Sequence, residues 1–269
     1  MFKRLEPWLI FLLTATLLAS VPIERDGLGL GWDTMNHHVY LGWVASGERF
    51  EQDYFAAASQ SYQFPYLYWP VYQLTRLNSP GWVAGVLWAI LHAVVSLPLW
   101  LIARRLMPGD QRADVFGRVL AVMFGVGNLL VLRAPDTTGN DVLAAIPWLF
   151  AVAVGLGPAD RPAAGATLHG VSSRAWLCGV LGGVAVALKL SNATVAIWLP
   201  WVCLSLVPRA SAWWRPMSWC VVGLGMGFSM TYGWWGAHLW QAFGNPIFPF
   251  ADGVFEPVRD ALQWHGGAR

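Results

Sequence analysis

Seven apolar segments, each nearly free of charge, constrain this chain more than any other feature. They run near Trp8–Ile23, Trp82–Ala103, Val119–Leu132, Val142–Leu156, Ala175–Leu190, Ala193–Val207 and Met217–Trp235. A segment immersed in lipid finds no water for its backbone N–H and C=O groups, so it folds as a helix. The expected fold is therefore an all-α membrane protein of about seven transmembrane helices, a single module over residues 1–269. Several segments are shorter than the roughly 20 residues that cross a bilayer squarely. Composition agrees: 56% of residues are hydrophobic and 12% charged, against about a quarter charged in soluble domains. The 18 tryptophans suit anchoring at a lipid–water boundary. A net charge of +2 is too small to suggest a nucleic-acid partner. Cys178, Cys203 and Cys220 all lie in apolar segments and read as small buried hydrophobes.

Charge placement sets the orientation. Arg104, Arg105, Arg112, Arg118, Arg161, Arg174, Arg209 and Arg215 fall on the same side as Lys3 and Arg4. By the positive-inside rule that side is cytoplasmic. The first segment reads either as a signal peptide or as a retained helix, and the absence of a small-residue cleavage site favours the helix. Outside then lie the loop 24–80, the Arg133–Asn140 turn, the Ser191–Asn192 hairpin and the tail 236–269. The stretch Gly157–Ser173, rich in Pro, Ala and Gly, is expected to be a cytoplasmic loop, and Asp252–Arg269 a polar tail.

The outside loop concentrates the chemistry. Asp33, Asn36, His37 and Tyr40 share one stripe of a helix, and Met35, Val39 and Trp43 another. This predicts an interfacial helix with its aromatic side down and its carboxylate side out. Asp33 is either the N-cap of that helix or a functional acid. Asp53, Asp136 and Asp141 are further acids on the same face, with Arg133 and Lys189 among the bases. Lys189, inside the apolar run ALKLSNATV, either snorkels to the interface or meets an anionic headgroup. Asp33 and His37, four apart, lack a third ligand, and adjacent His37 and His38 point about 100° apart on a helix. A divalent metal is therefore not indicated. No Gly-rich phosphate loop is present, so neither is a soluble nucleotide donor.

The run WDTMNHHVYLGWVASGERFEQDYF after one apolar helix, followed by YQFPYLYWPVY, resembles the polytopic GT-C class of glycosyltransferases. ALKLSNA and FGNPIFPF are similar to motifs of bacterial GT-C-like membrane proteins. The resemblance covers Met1 to about Phe255. It implies an enzyme of the bacterial cytoplasmic membrane that takes a sugar from a polyprenyl-phosphate donor. The acceptor hydroxyl is on the extracytoplasmic face, and no cofactor is expected. By position, Asp33 matches the catalytic acid, and Asp141, Asp53 and Asp136 match secondary acidic positions. His37, Tyr40, Arg133, Lys189 and Asp136 are the expected substrate contacts. The chain carries the class's shared set of about seven spans without the further helices most members add. An inactive truncated paralogue therefore stands as one alternative, and a transporter or flippase-like carrier of lipid-linked sugars as another.

Overall fold

Every apolar segment folds into helix in the computed structural model, which describes residues 2–29, 31–53, 56–157, 168–206 and 213–264. The architecture is all-helical, with one short extended stretch at Ala56–Ser59. In chain order, α1 is Phe2–Glu24, α2 is Val39–Val44 preceded by a π-helical turn Thr34–His38, and α3 is Trp69–Thr75. Next come α4 Gly81–Ala93, α5 Ser96–Leu106, α6 Arg112–Val126, α7 Leu129–Arg133, α8 Asp141–Gly155 and α9 Leu168–Leu188. The chain continues through α10 Ala193–Ala196, α11 Leu199–Val202, α12 Trp214–Phe243 and α13 Asp252–Ala261.

Among the described residues, three stretches are long and apolar enough to cross a membrane: Leu5–Glu24, Gly81–Leu106 and Gly170–Leu188. The other expected spans depart from straight helices for identifiable reasons. Val119–Leu132 is broken, with a 62° bend between Arg112–Val126 and Leu129–Asp136. Asn128 causes it: its side chain accepts from the N–H groups of Leu130 and Val131, capping a new helix where the old one stops. At 15 residues α8 is about 22 Å long, short of the roughly 30 Å hydrocarbon layer. Residues 193–206 form a chain of short helical pieces, because Pro200 lacks an N–H and starts a helix instead of continuing one. By contrast α12, at 30 residues, is longer than expected, though Gly, Ser and Trp dilute its apolar character.

Helices α9 and α12 pack backbone against backbone. A methyl group at Gly183 would fall 2.2 Å from the Leu224 carbonyl oxygen, and one at Gly227 would fall 2.1 Å from that of Val180. Gly179 and Gly223 face the partner backbone just as closely. The two pairs, each four residues apart, let two helix backbones touch, as small residues do in membrane helix pairs.

A buried ion pair closes the other end of α1. Arg118 is fully buried and donates from Nε to Glu6 Oε1 at 2.6 Å and from Nη2 to Oε2 at 2.8 Å. Its remaining nitrogen donates to the carbonyls of Met107 and Gly109. Arg118 is thus neutralised inside the protein, which removes it from the one-sided arginines that argue for orientation. Arg161 and Arg209 of that set lie outside the described residues.

Two expectations about loops change. The Gly157–Ser173 stretch is partly helix, since α9 already begins at Leu168; residues 158–167 lie outside the described ones. The tail contains α13, held by Arg259, which donates to both Asp252 oxygens at 2.7 and 3.0 Å. Buried Asn245 adds bonds to Asp252 and to the Phe250 carbonyl.

Candidate functional site

The loop after α1 docks on α12. Leu41, Val44, Tyr62, Phe64, Leu67 and Tyr68 pack with Tyr232, Trp235 and Leu239 of α12 in one buried cluster. The Trp235 indole donates to the Tyr62 carbonyl at 3.0 Å, and that of Trp234 to the Tyr66 hydroxyl at 2.8 Å. This reverses much of the expected stripe. Asp33 does point outward, its side chain 65% exposed, but His37 is buried, Asn36 bonds to Gln60, and Tyr40 to Asp53. On the expected aromatic face, Met35 and Trp43 are exposed on the surface of the protein.

The π turn Thr34–His38 explains the change. Its wider i→i+5 winding carries both histidines inward, with ring centroids 4.3 Å apart and both rings buried. Asp33 has helical backbone angles and makes no side-chain capping bond. The N-cap reading of Asp33 is therefore set aside. Its Oδ1 lies 3.9 Å from His37 Nδ1, too far for a hydrogen bond.

The turn before α8 closes over these histidines. From α4, the fully buried Trp88 donates its indole N–H to the Thr137 carbonyl at 3.0 Å, and His92 Nε2 meets the Gly139 carbonyl at 3.2 Å. So pinned, Thr138 presents its hydroxyl to His38 Nδ1 at 2.6 Å and to Thr34 at 2.7 Å, across 104 residues of chain. His38 also lies against the Tyr68 ring, with centroids 5.0 Å apart. Asn140 and Asp141 follow at the N-terminus of α8. Lys189 leaves the C-terminus of α9 in extended conformation and places its amine on Asp141. The ammonium of Lys189 is thus paired within the protein.

Asp33, His37, Asp141 and Lys189 are thereby brought together, joined by His38, Tyr68, Thr138 and Asn140. Burial holds both imidazoles neutral, pushing His37 down and His38 down to about 4. Asp33 opposes that effect and Lys189 reinforces it, so both lie within electrostatic reach of the rings. His37 Nδ1 and Asn140 Nδ2 are buried with no hydrogen-bond partner, a costly arrangement unless a ligand completes it. No third metal ligand joins Asp33 and His37 among the described residues.

The remaining candidates lie apart. Asp53 is bound by Arg49 at 2.5 Å and by the Tyr40 hydroxyl at 3.3 Å. Arg49 holds the Asp53 carboxyl below its usual range. Burial, then Asp53, pushes Tyr40 up to about 12. Asp136 pairs with Arg25 at 2.5 Å, and Arg133 is exposed at the end of α7. Thr138 and Asn140 were not singled out in the sequence. Their only signal is the polar run Thr137–Asp141 abutting an apolar helix.

The histidines give the loop an acid sensitivity. In the unfolded chain His38 titrates near its ordinary 6.5, in the folded chain near 4. Below about pH 6.5 the unfolded chain takes up a proton that the folded chain refuses. Stability is therefore complete above that pH and falls as the pH drops toward about 4. The thermal midpoint of the purified protein should decline across this window, and His38→Gln should make the decline shallower. An unchanged decline in His38→Gln would show that other groups carry it. In comparisons with known proteins, no family model, no curated protein and no solved structure matches the chain.

Proposed function

We propose that this chain is a glycosyltransferase of the GT-C kind, moving a sugar from a polyprenyl-phosphate donor to an acceptor hydroxyl. In this reading its seven apolar segments are embedded in a bacterial cytoplasmic membrane with the N-terminus inside, and the site faces outward. One observation carries the reading. The uncapped, exposed carboxylate of Asp33 stands beside two buried, unpartnered polar atoms and the Asp141–Lys189 pair. Most buried polar atoms in folded proteins are paired, so two unpaired ones in one cluster favour a ligand there.

The chemistry needs little more. Asp33 accepts the acceptor's hydroxyl proton as the new bond to the anomeric carbon forms. The old bond from that carbon to the phosphate oxygen breaks, and its electron pair leaves with polyprenyl phosphate. Lys189, drawn from Asp141, meets the charge that builds on the phosphate. His37 Nδ1 and Asn140 Nδ2 are placed to bond sugar or acceptor hydroxyls. Asp53, already neutralised by Arg49, holds Tyr40 instead of reacting. An apolar groove of about 380 Å³ along α12, lined by Tyr232, Gly233, Gly236, Trp240, Pro246 and Ile247, suits a prenyl chain.

The test is binding of polyprenyl phosphate to the full chain in lipid nanodiscs, with the corresponding polyprenol as control. Wild type should prefer the phosphate. Lys189→Met should weaken phosphate binding roughly ten- to a hundred-fold, the worth of one charged hydrogen bond, and leave polyprenol binding unchanged. Equal binding of phosphate and alcohol by wild type would remove the proposal.

A further inference from the structure

Cys178, Cys203 and Cys220 come from three separate segments, the middle of α9, the turn after α11 and the first turns of α12. Yet their sulfurs all lie within 4.8 Å of one another, and none of the three side chains is exposed. The glycine seam creates the cluster. A methyl at Gly179 would fall 2.0 Å from the Cys220 carbonyl oxygen, so only glycine there lets α12 approach Cys178. The third cysteine is brought in by the short helix Cys203–Leu206, which Ser205 ties to the Gly155 carbonyl at 2.7 Å. The surrounding shell is apolar and includes Ala151, Ala175, Ala196 and Leu199. Three packed alanines would fill such a place as well, so the coincidence of three thiols needs a reason.

The donor set selects the ion. Sulfur alone, with no carboxylate or imidazole joining it among the described residues, favours soft cations over Mg²⁺, Ca²⁺ or Mn²⁺. Structural zinc sites take four ligands, and here there are three. Metal–sulfur bonds of about 2.3 Å would set the corners of a trigonal site about 4 Å apart, within the spacing seen. Copper(I) is such a soft ion and is satisfied by three sulfurs in a plane, so it suits this set without a fourth ligand.

We propose that Cys178, Cys203 and Cys220 form a trigonal, all-sulfur site for a soft monovalent cation, with copper(I) as its ligand. Each cysteine binds as thiolate, so its S–H bond is exchanged for a Cu–S bond and its proton is released, with no change of oxidation state. The ion clips α9, α12 and the Cys203–Leu206 turn together. It is remote in sequence and in packing from the Asp33 cluster, so the proposal stands independently of sugar transfer.

The full chain, purified in detergent and fully reduced, would be titrated anaerobically with copper(I) against a chromophoric copper(I) chelator. Wild type should retain one copper per chain, with only sulfur neighbours in its X-ray absorption spectrum, and Zn²⁺ should not compete. Cys203→Ala and Cys220→Ala, with helicity and monodispersity checked by circular dichroism and gel filtration, should lose affinity. The loss should exceed the roughly 10–100-fold that an outer-shell change costs. Wild type that yields all its copper to the chelator, prefers zinc, or shows nitrogen or oxygen neighbours would overturn the site. So would folded alanine variants that retain copper like wild type. The wild-type titration decides the question even where a variant fails to fold.

Discussion

Asp33→Asn should leave the chain folded and expressed at its normal level while lowering sugar transfer by about 10²–10⁴-fold, the usual worth of a general base. Three features make this substitution diagnostic. Asp33 makes no capping bond, so its loss removes no helix end. Its carboxylate is largely exposed and 3.9 Å from His37, so no buried partner is orphaned. Asparagine has nearly the same shape but cannot take the acceptor's proton. Initial rates with a polyprenyl-phosphate sugar donor, normalised to folded protein, provide the check. Wild-type turnover in the Asn variant ends the assignment of Asp33 as base. Asp141→Asn should act differently: it frees Lys189 from its partner, so donor binding should change along with rate.

Arg118→Ala should destabilise the protein by about 3–5 kcal/mol, because it strips a buried carboxylate of its counter-charge. Among the described residues, Glu6 would keep the Trp100 indole N–H, at 2.9 Å, as its hydrogen-bond donor. The Met107 and Gly109 carbonyls that Arg118 now bonds would also lose a donor. Removing both charges should be milder. Glu6→Leu with Arg118→Met replaces the pair by apolar side chains of similar reach and should recover most of the loss. Thermal unfolding in detergent of wild type, single and double variants measures both effects. A single variant as stable as wild type would mean that water or lipid headgroups already solvate Glu6. The pair joins the start of α1 to α6, so its loss should loosen the end of the molecule opposite the candidate site and leave the Asp33 cluster in place.

Much of the helical architecture was legible because it depends on local composition. Uncharged apolar runs such as Trp8–Ile23 and Trp82–Ala103 have one low-energy backbone in lipid, and a short window of residues suffices to recognise it. The breaks were less legible. Asn128 and Pro200 are ordinary residues in an apolar run until the structure shows Asn128 capping a new helix and Pro200 opening one. The glycine pairs at 179/183 and 223/227 carry a readable spacing. Which pair meets which is settled only when α9 and α12 are laid together.

Of the candidate site, the sequence determined that Asp33, His37 and their neighbours follow the first apolar helix in a polar, aromatic loop. It could not determine which way they face. A regular helix turns His37 and His38 apart, and the π turn, stabilised by what it packs against, turns both inward. Thr138 reaches His38 from 100 residues away because Trp88 and His92 hold its turn. Lys189 reaches Asp141 because α8 and α9 lie side by side. The same holds for the three cysteines, each an unremarked small residue in its own segment. Residue type and spacing fix short-range backbone choices, whereas a site joining residues scattered along the chain exists only through the packing that brings helix ends together.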